Sequence, residues 1–132
     1  MLTLLVVDDH ASVLQTLDYA LSSEPVRVLT AGGGSAAPAV CARERPEAAL
    51  VDLHMPGMDG LTLTRALKDH AAKVGRGLPV WVMTAAPTVA AVEQARLAGA
   101  EALLKKPFDC GVFREELLRR LTVGPVPGSV AA

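Results

Sequence analysis

Between Leu2 and Leu121 the chain repeats one pattern five times: a short, nearly unbroken apolar run, then an amphipathic stretch. A run such as Leu2–Val7 has no polar face, so as a strand it must be covered on both sides, as strands of parallel sheets are. Val26–Ala31, Ala48–Leu53, Leu78–Thr84 and the short Ala102–Leu104 read the same way. Helices are predicted over Ala11–Ser22, where Val13, Leu14, Leu17 and Leu21 form one stripe, and over Ser35–Arg45, where Pro38 is tolerable only near the first turn. Further helices are predicted over Leu61–Val74, Thr88–Ala98 and Asp109–Leu121, the last with Val112, Phe113, Leu117 and Leu121 facing inward. Gly32-Gly33-Gly34, Met55-Pro56-Gly57 and Gly75-Arg76-Gly77 punctuate the series. Five βα units predict an α/β fold, a doubly wound parallel sheet with helices on both faces.

Composition narrows what such a domain can do. The 132 residues suit one domain, and 51% hydrophobic content supplies a core. A net charge of -1, from 13 basic and 14 acidic residues, leaves no excess to neutralise phosphates. Together with 3% aromatic residues this argues against direct nucleic acid binding. Mean hydropathy is +0.34, but no apolar run approaches the roughly 18–20 residues of a membrane span. The apolar N-terminus runs into Asp8-Asp9 without a basic segment or cleavage site, unlike a signal peptide. Cys41 and Cys110 lack metal-type spacing and read as buried free thiols. A cytoplasmic domain without membrane insertion is expected, spanning residues 1–123, with Gly124–Ala132 a flexible tail or truncated linker.

In open parallel sheets the functional crevice lies beyond the carboxyl ends of the strands. There the first strand ends in Asp8-Asp9, the third in Asp52, the fourth in Thr84 and the fifth in Lys106-Pro107. Singly, each has an ordinary structural explanation as a cap, turn or solvated residue. If the first and third strands are neighbours, three carboxylates converge, at a cost that a cation would offset. Hard oxygen ligands without His or Cys suit Mg²⁺. Lys106 adds a mobile positive charge and Thr84 a hydroxyl. These are the parts needed to move a phosphoryl group onto a carboxylate.

Asp8-Asp9, the segment from Asp52 to Gly60 (Asp-Leu-His-Met-Pro-Gly-Met-Asp-Gly), Met83-Thr84-Ala85 and Lys106-Pro107-Phe108 resemble the receiver domain of two-component response regulators. Order and spacing agree over about residues 2–122. The resemblance implies the flavodoxin-like strand order 2-1-3-4-5, which the chemotaxis member of the family has. It implies Asp52 as the acceptor of a phosphoryl group from a His of a sensor histidine kinase or phosphotransfer protein. Asp9 would be a direct Mg²⁺ ligand, Asp8 would act mainly through coordinated water, and Asp52 and the His54 backbone carbonyl would complete the protein ligands. Thr84 and Lys106 would each bond a phosphoryl oxygen, and the Lys106–Pro107 peptide is expected to be cis. The readout surface would be the helix after Pro87, the fifth strand and the last helix, where Arg114, Glu115, Arg119 and Arg120 are expected outward.

The chain departs from the pattern at Leu103, which stands where most receivers carry the switch aromatic. His54 could line the water entrance, and Ala86 brings no polar group, so slow to moderate autodephosphorylation is expected. The alternatives are a phosphorylation-independent binding module (a degenerate receiver) or a receiver fragment of a larger response regulator or hybrid kinase. A haloacid-dehalogenase-type phosphatase would need a D-x-D motif that Asp8-Asp9-His10 does not supply. A signalling acceptor, monomeric or weakly dimeric, is therefore expected rather than an enzyme, and these 132 residues leave no room for an effector.

Overall fold

The computed structural model describes residues 1–123, so the tail or linker expected at Gly124–Ala132 lies outside the described residues. Ten elements alternate: β1 (Leu2–Val7), α1 (Ala11–Leu21), β2 (Val26–Ala31), α2 (Ala37–Glu44), β3 (Ala48–Asp52), α3 (Gly60–Lys73), β4 (Val80–Thr84), α4 (Val89–Leu97), β5 (Leu103–Lys105) and α5 (Cys110–Val123). The strands form one parallel sheet of order β2-β1-β3-β4-β5, the flavodoxin-like (βα)5 arrangement. Helices take the crossovers that parallel pairing requires.

Side-chain alternation along the strands splits the core into two layers. Leu4, Val6, Leu50, Trp81 and Met83 meet α1 and α5 on one face, through Leu17, Leu21, Phe113 and Leu117. Leu5, Val7, Val51 and Val80 meet α2 and α3 on the other, through Cys41, Leu63, Leu67 and Ala71. All five residues of β3 and of β4 are buried, which accounts for their apolar runs and for much of the positive hydropathy. Among the described residues no helix is long and apolar enough to cross a membrane.

Three expectations need correction. The fourth strand begins at Val80 rather than Leu78; Pro79 has no N–H to give the ladder and only accepts, from the Ala49 amide. Val112 faces solvent at 60% exposure, because Phe113, beside it on α5, is the residue that packs on Trp81, and neighbours on a helix diverge. Cys41 is buried as expected, whereas Cys110 at the start of α5 is only half-buried; both are free, and burial raises both thiols above the ordinary value.

Candidate functional site

The register sets the site. Val7 of β1 lies beside Val51 of β3, so the residue after each, Asp8 just past β1 and Asp52 at the end of β3, stands at the same edge of the sheet. Asp8 is fully buried and Asp52 is 3% exposed. Thr84 ends β4, also fully buried, and its hydroxyl accepts from the Ala86 amide at 3.2 Å. Just beyond β5, the Lys106 amide donates to the Thr84 carbonyl at 2.7 Å, and the Lys106–Pro107 peptide is cis. The Lys106 ammonium lies 3.1 Å from Asp52 Oδ1 and 3.3 Å from Asp8 Oδ2. Asp9 is exposed at the rim.

The loop between β3 and α3 is built to hold Asp52 in place. Met55 is buried and Met58 half-buried, both against the α2–α3 layer. Gly57 takes the left-handed φ of 83° that the turn between them needs. Asp59 caps α3 by accepting from the Thr62 amide at 2.8 Å. The Gly60 amide then donates to the Leu53 carbonyl at 2.8 Å, drawing the first turn of α3 onto the end of β3. Most of the motif from Asp52 to Gly60 is therefore structural support for one carboxylate.

The structure also brings in a residue that sequence reasoning missed. Ligand atoms of Asp8, Asp9, His10 and Asp52 all lie within 4.8 Å of one another, a grouping that could hold a metal ion. The expected set had no imidazole, yet His10 Nδ1 is 3.1 Å from Asp8 Oδ1 and 3.3 Å from Asp9 Oδ1. His10 sits at the N-cap of α1 without a side-chain cap bond, so its ring is free to turn back over the carboxylates. Its position next to Asp9 in the chain was the available signal.

Electrostatics follow from the count of charges. Three carboxylates face one ammonium. Burial pushes the Asp52 carboxyl above its ordinary value, and Asp8 adds to this. Lys106 and the His54 backbone amide pull the other way without prevailing. Burial works against the charged form of Lys106, but Asp52 and Asp8 together outweigh it and hold the ammonium above the ordinary lysine value. The raised acid reflects burial first and the neighbouring Asp8 after it, whereas the raised base reflects the two carboxylates it faces.

The other expected residues lie around this centre. The His54 side chain is exposed, and so is Ala86. Leu103 opens β5, half-buried and paired with Val82. On α5, Arg114 and Arg120 do not point freely outward as expected. Arg114 Nη2 donates to the Ser23 and Glu24 carbonyls at 2.8 and 2.6 Å, and Arg120 pairs with Glu101, leaving Glu115 and Arg119 as the exposed members. A groove of about 480 Å³ borders the site, walled by α1 at Ser12 and Thr16 and by the turn at Pro107-Phe108.

Fold and site together describe an α/β domain with a carboxylate–lysine centre at the carboxyl edge of its sheet. Residues 4–118 match the response regulator receiver domain, and the chain belongs to that family. It is similar to response regulator PleD of Caulobacter vibrioides, 40% identical over 106 residues that cover 80% of this chain and 23% of that protein. It also resembles response regulator MprA of Mycobacterium leprae, 37% identical over 118 residues, covering 89% and 48%. Sensory/regulatory protein RpfC of Xanthomonas campestris is 38% identical over 104 residues, covering 79% and 14%. The chain thus spans less than half the length of these curated relatives. Among solved structures, chemotaxis protein CheY4 of Vibrio cholerae superposes with a TM-score of 0.80 at 26% identity, covering 90% of this chain and 98% of that one. The receiver domain of the putative response regulator NarL of Mycobacterium tuberculosis gives 0.79 at 30% identity, covering 91% and 95%.

Proposed function

We propose that Asp52 accepts a phosphoryl group from a phosphohistidine of a sensor kinase or phosphotransfer protein. The observation that carries this reading is a buried carboxylate at a strand end, held by Lys106 at 3.1 Å and flanked by Asp8. An Asp52 oxygen forms the new P–O bond as the P–N bond of the donor breaks, and the imidazole leaves with a proton from solvent. Asp8, Asp9, Asp52 and the His54 carbonyl would hold Mg²⁺, which supplies positive charge against the carboxylates and the phosphoryl oxygens. Surplus negative charge at the cluster supports a divalent cation there.

Lys106 already reaches the acceptor and would pair with one phosphoryl oxygen. The Thr84 hydroxyl, which accepts from Ala86 in this state, has a proton to donate to another. Phosphorylation adds about -1.5 to -2 charge and three acceptor oxygens, drawing Thr84 and its loop inward. The face of α4, β5 and α5 would read this out to a protein partner. Leu103 on that face carries no polar or aromatic group, so the response would travel through the β4–α4 backbone and the Lys106–Pro107 turn. The groove along α1 would receive the phosphodonor.

In this reading residues 1–123 form a cytoplasmic receiver, monomeric or weakly dimeric, that signals and does not turn over a substrate. The test is incubation with acetyl phosphate and Mg²⁺ followed by intact-mass measurement. A single phosphoryl adduct, absent in Asp52→Asn, is expected. An unmodified wild-type chain overturns the proposal and favours a phosphorylation-independent module.

A further inference from the structure

At the amino edge of the sheet, opposite the acidic site, a second cavity of about 320 Å³ opens where α2 and α3 end. It falls within the size range of small-molecule pockets. Its walls are apolar at Ala42, Ala71, Val74 and Leu78. The polar groups at its edge are Arg45, Arg76 and His70, with no carboxylate among them.

Neither arginine has an acidic partner among the described residues. Arg76 is half-buried, and among the described residues its side chain makes one hydrogen bond, a 3.5 Å contact from Nη2 to the Pro46 carbonyl. Arg45 makes no ion pair and caps α2 at φ 51°, the one non-glycine residue with positive φ among those described. The neighbouring acids are engaged elsewhere: Glu44 with Arg27 and Arg43, Glu47 with the Thr3 amide. Cys41 forms the inner wall, close enough to Arg76 for the guanidinium to oppose the rise in its pKa.

We propose that this cavity binds a small organic anion, a carboxylate or phosphate head on a short apolar body. The planar guanidinium of Arg76, with Arg45 beside it, would take the head, since paired N–H groups match both kinds of anion. The apolar walls at Val74 and Leu78 would take the body. From Pro46 to Asp52 the cavity and the acidic site are separated by about 20 Å of extended chain, so a ligand here would not compete with phosphorylation. The competing explanation is that the arginines only balance the carbonyl ends of α2 and α3.

The test is a titration of the ¹⁵N-labelled chain with benzoate and, separately, phenyl phosphate, with benzyl alcohol as the neutral control. Saturable shifts confined to residues 41–46 and 70–78 are expected, with a dissociation constant on the order of 1 mM for probes of this size. Preference for one head group identifies the source chemistry. Arg76→Gln should weaken binding about tenfold or more. Arg45→Asn, which suits a left-handed backbone position, should weaken it severalfold with the fold intact. Absence of saturable shifts, equal binding of benzyl alcohol, or unchanged affinity in both variants would overturn the proposal; loss of stability without anion binding would assign the arginines to the helix ends alone.

Discussion

The Lys106 ammonium meets Asp52 Oδ1 at 3.1 Å across the carboxyl edge of the sheet, while Asp8 Oδ2 holds it from the other side at 3.3 Å. One cation therefore serves two buried carboxylates, with a third at the rim, and the site is stable only in so far as positive charge is supplied to it. In the proposed function this ties stability to activity: the arrangement that would attract a cation and a phosphoryl group also costs the resting fold stability.

Lys106→Met keeps the aliphatic stem and removes the charge. In metal-free buffer at pH 8 the loss should be roughly 2–3 kcal/mol, because two buried carboxylates lose their partner. The pH dependence has a definite sign. Asp52 holds its proton above the ordinary value of 3.8, so between that value and its folded value the native state binds more protons than the unfolded state. Stability then falls as pH rises through that window. Removing Lys106, which lowers the Asp52 value, extends the window upward. Urea midpoints should show the variant's deficit shrinking from pH 8 to pH 5; a deficit constant with pH would contradict the charge account.

Asp52→Asn should do the opposite. It removes a buried charge next to Asp8 and leaves Lys106 its second partner. In EDTA at pH 8 the melting temperature should rise by a few degrees, although the proposed acceptor is gone. Near pH 4 the advantage should vanish as the wild-type carboxyl becomes neutral. Calorimetry at both pH values decides; a destabilised variant at pH 8 would mean that the Lys106 contact outweighs repulsion and burial.

The fold was legible because its signals are local and strong. Leu2–Val7 and Ala48–Val51 are nearly unbroken apolar runs, and each is followed directly by a carboxylate, Asp8 or Asp52, that marks the sheet edge. What was not legible depends on contacts between distant segments. The phase of α5 could not be settled by Val112 and Phe113 alone, since both are apolar neighbours; Trp81 on β4 and Phe108 select Phe113. Arg114 and Arg120 looked like a solvated face because their partners, the Ser23 and Glu24 carbonyls and Glu101, lie far away in sequence. His10 is not signalled by the strand-end pattern of oxygen ligands, because its ring reaches the cluster from a helix cap.

Gly60→Ala tests how tightly α3 is drawn onto the end of β3 that carries Asp52, the proposed acceptor. A β-carbon there would lie 2.3 Å from the Asp52 carbonyl oxygen and 2.8 Å from Leu53 Cα. Both are backbone atoms of the segment that carries Asp52, so relief requires moving β3 or α3. The cost should be at least about 2 kcal/mol, at the upper end for overpacking, despite alanine's better helix propensity. Residual folded protein should also take up phosphate from acetyl phosphate more slowly, because Asp52 is displaced. A urea midpoint within error of wild type would show that the loop yields freely.

Arg114 makes the last case, because it separates a tethering arginine from a solvated one on the same helix. Its guanidinium donates to the carbonyls of Ser23 and Glu24, in the turn where the Val26 amide also bonds back to Ser23. Arg114→Ala leaves those carbonyls to water and frees α5 from the start of β2, at an expected cost of about 1–2 kcal/mol. Arg119, exposed one turn further along, should change stability by no more than about 0.5 kcal/mol when replaced by alanine. Hydrogen exchange adds a local readout: the Val26 amide should exchange faster in Arg114→Ala and not in Arg119→Ala. Equal behaviour of the two variants would reduce the Arg114 contacts to surface decoration.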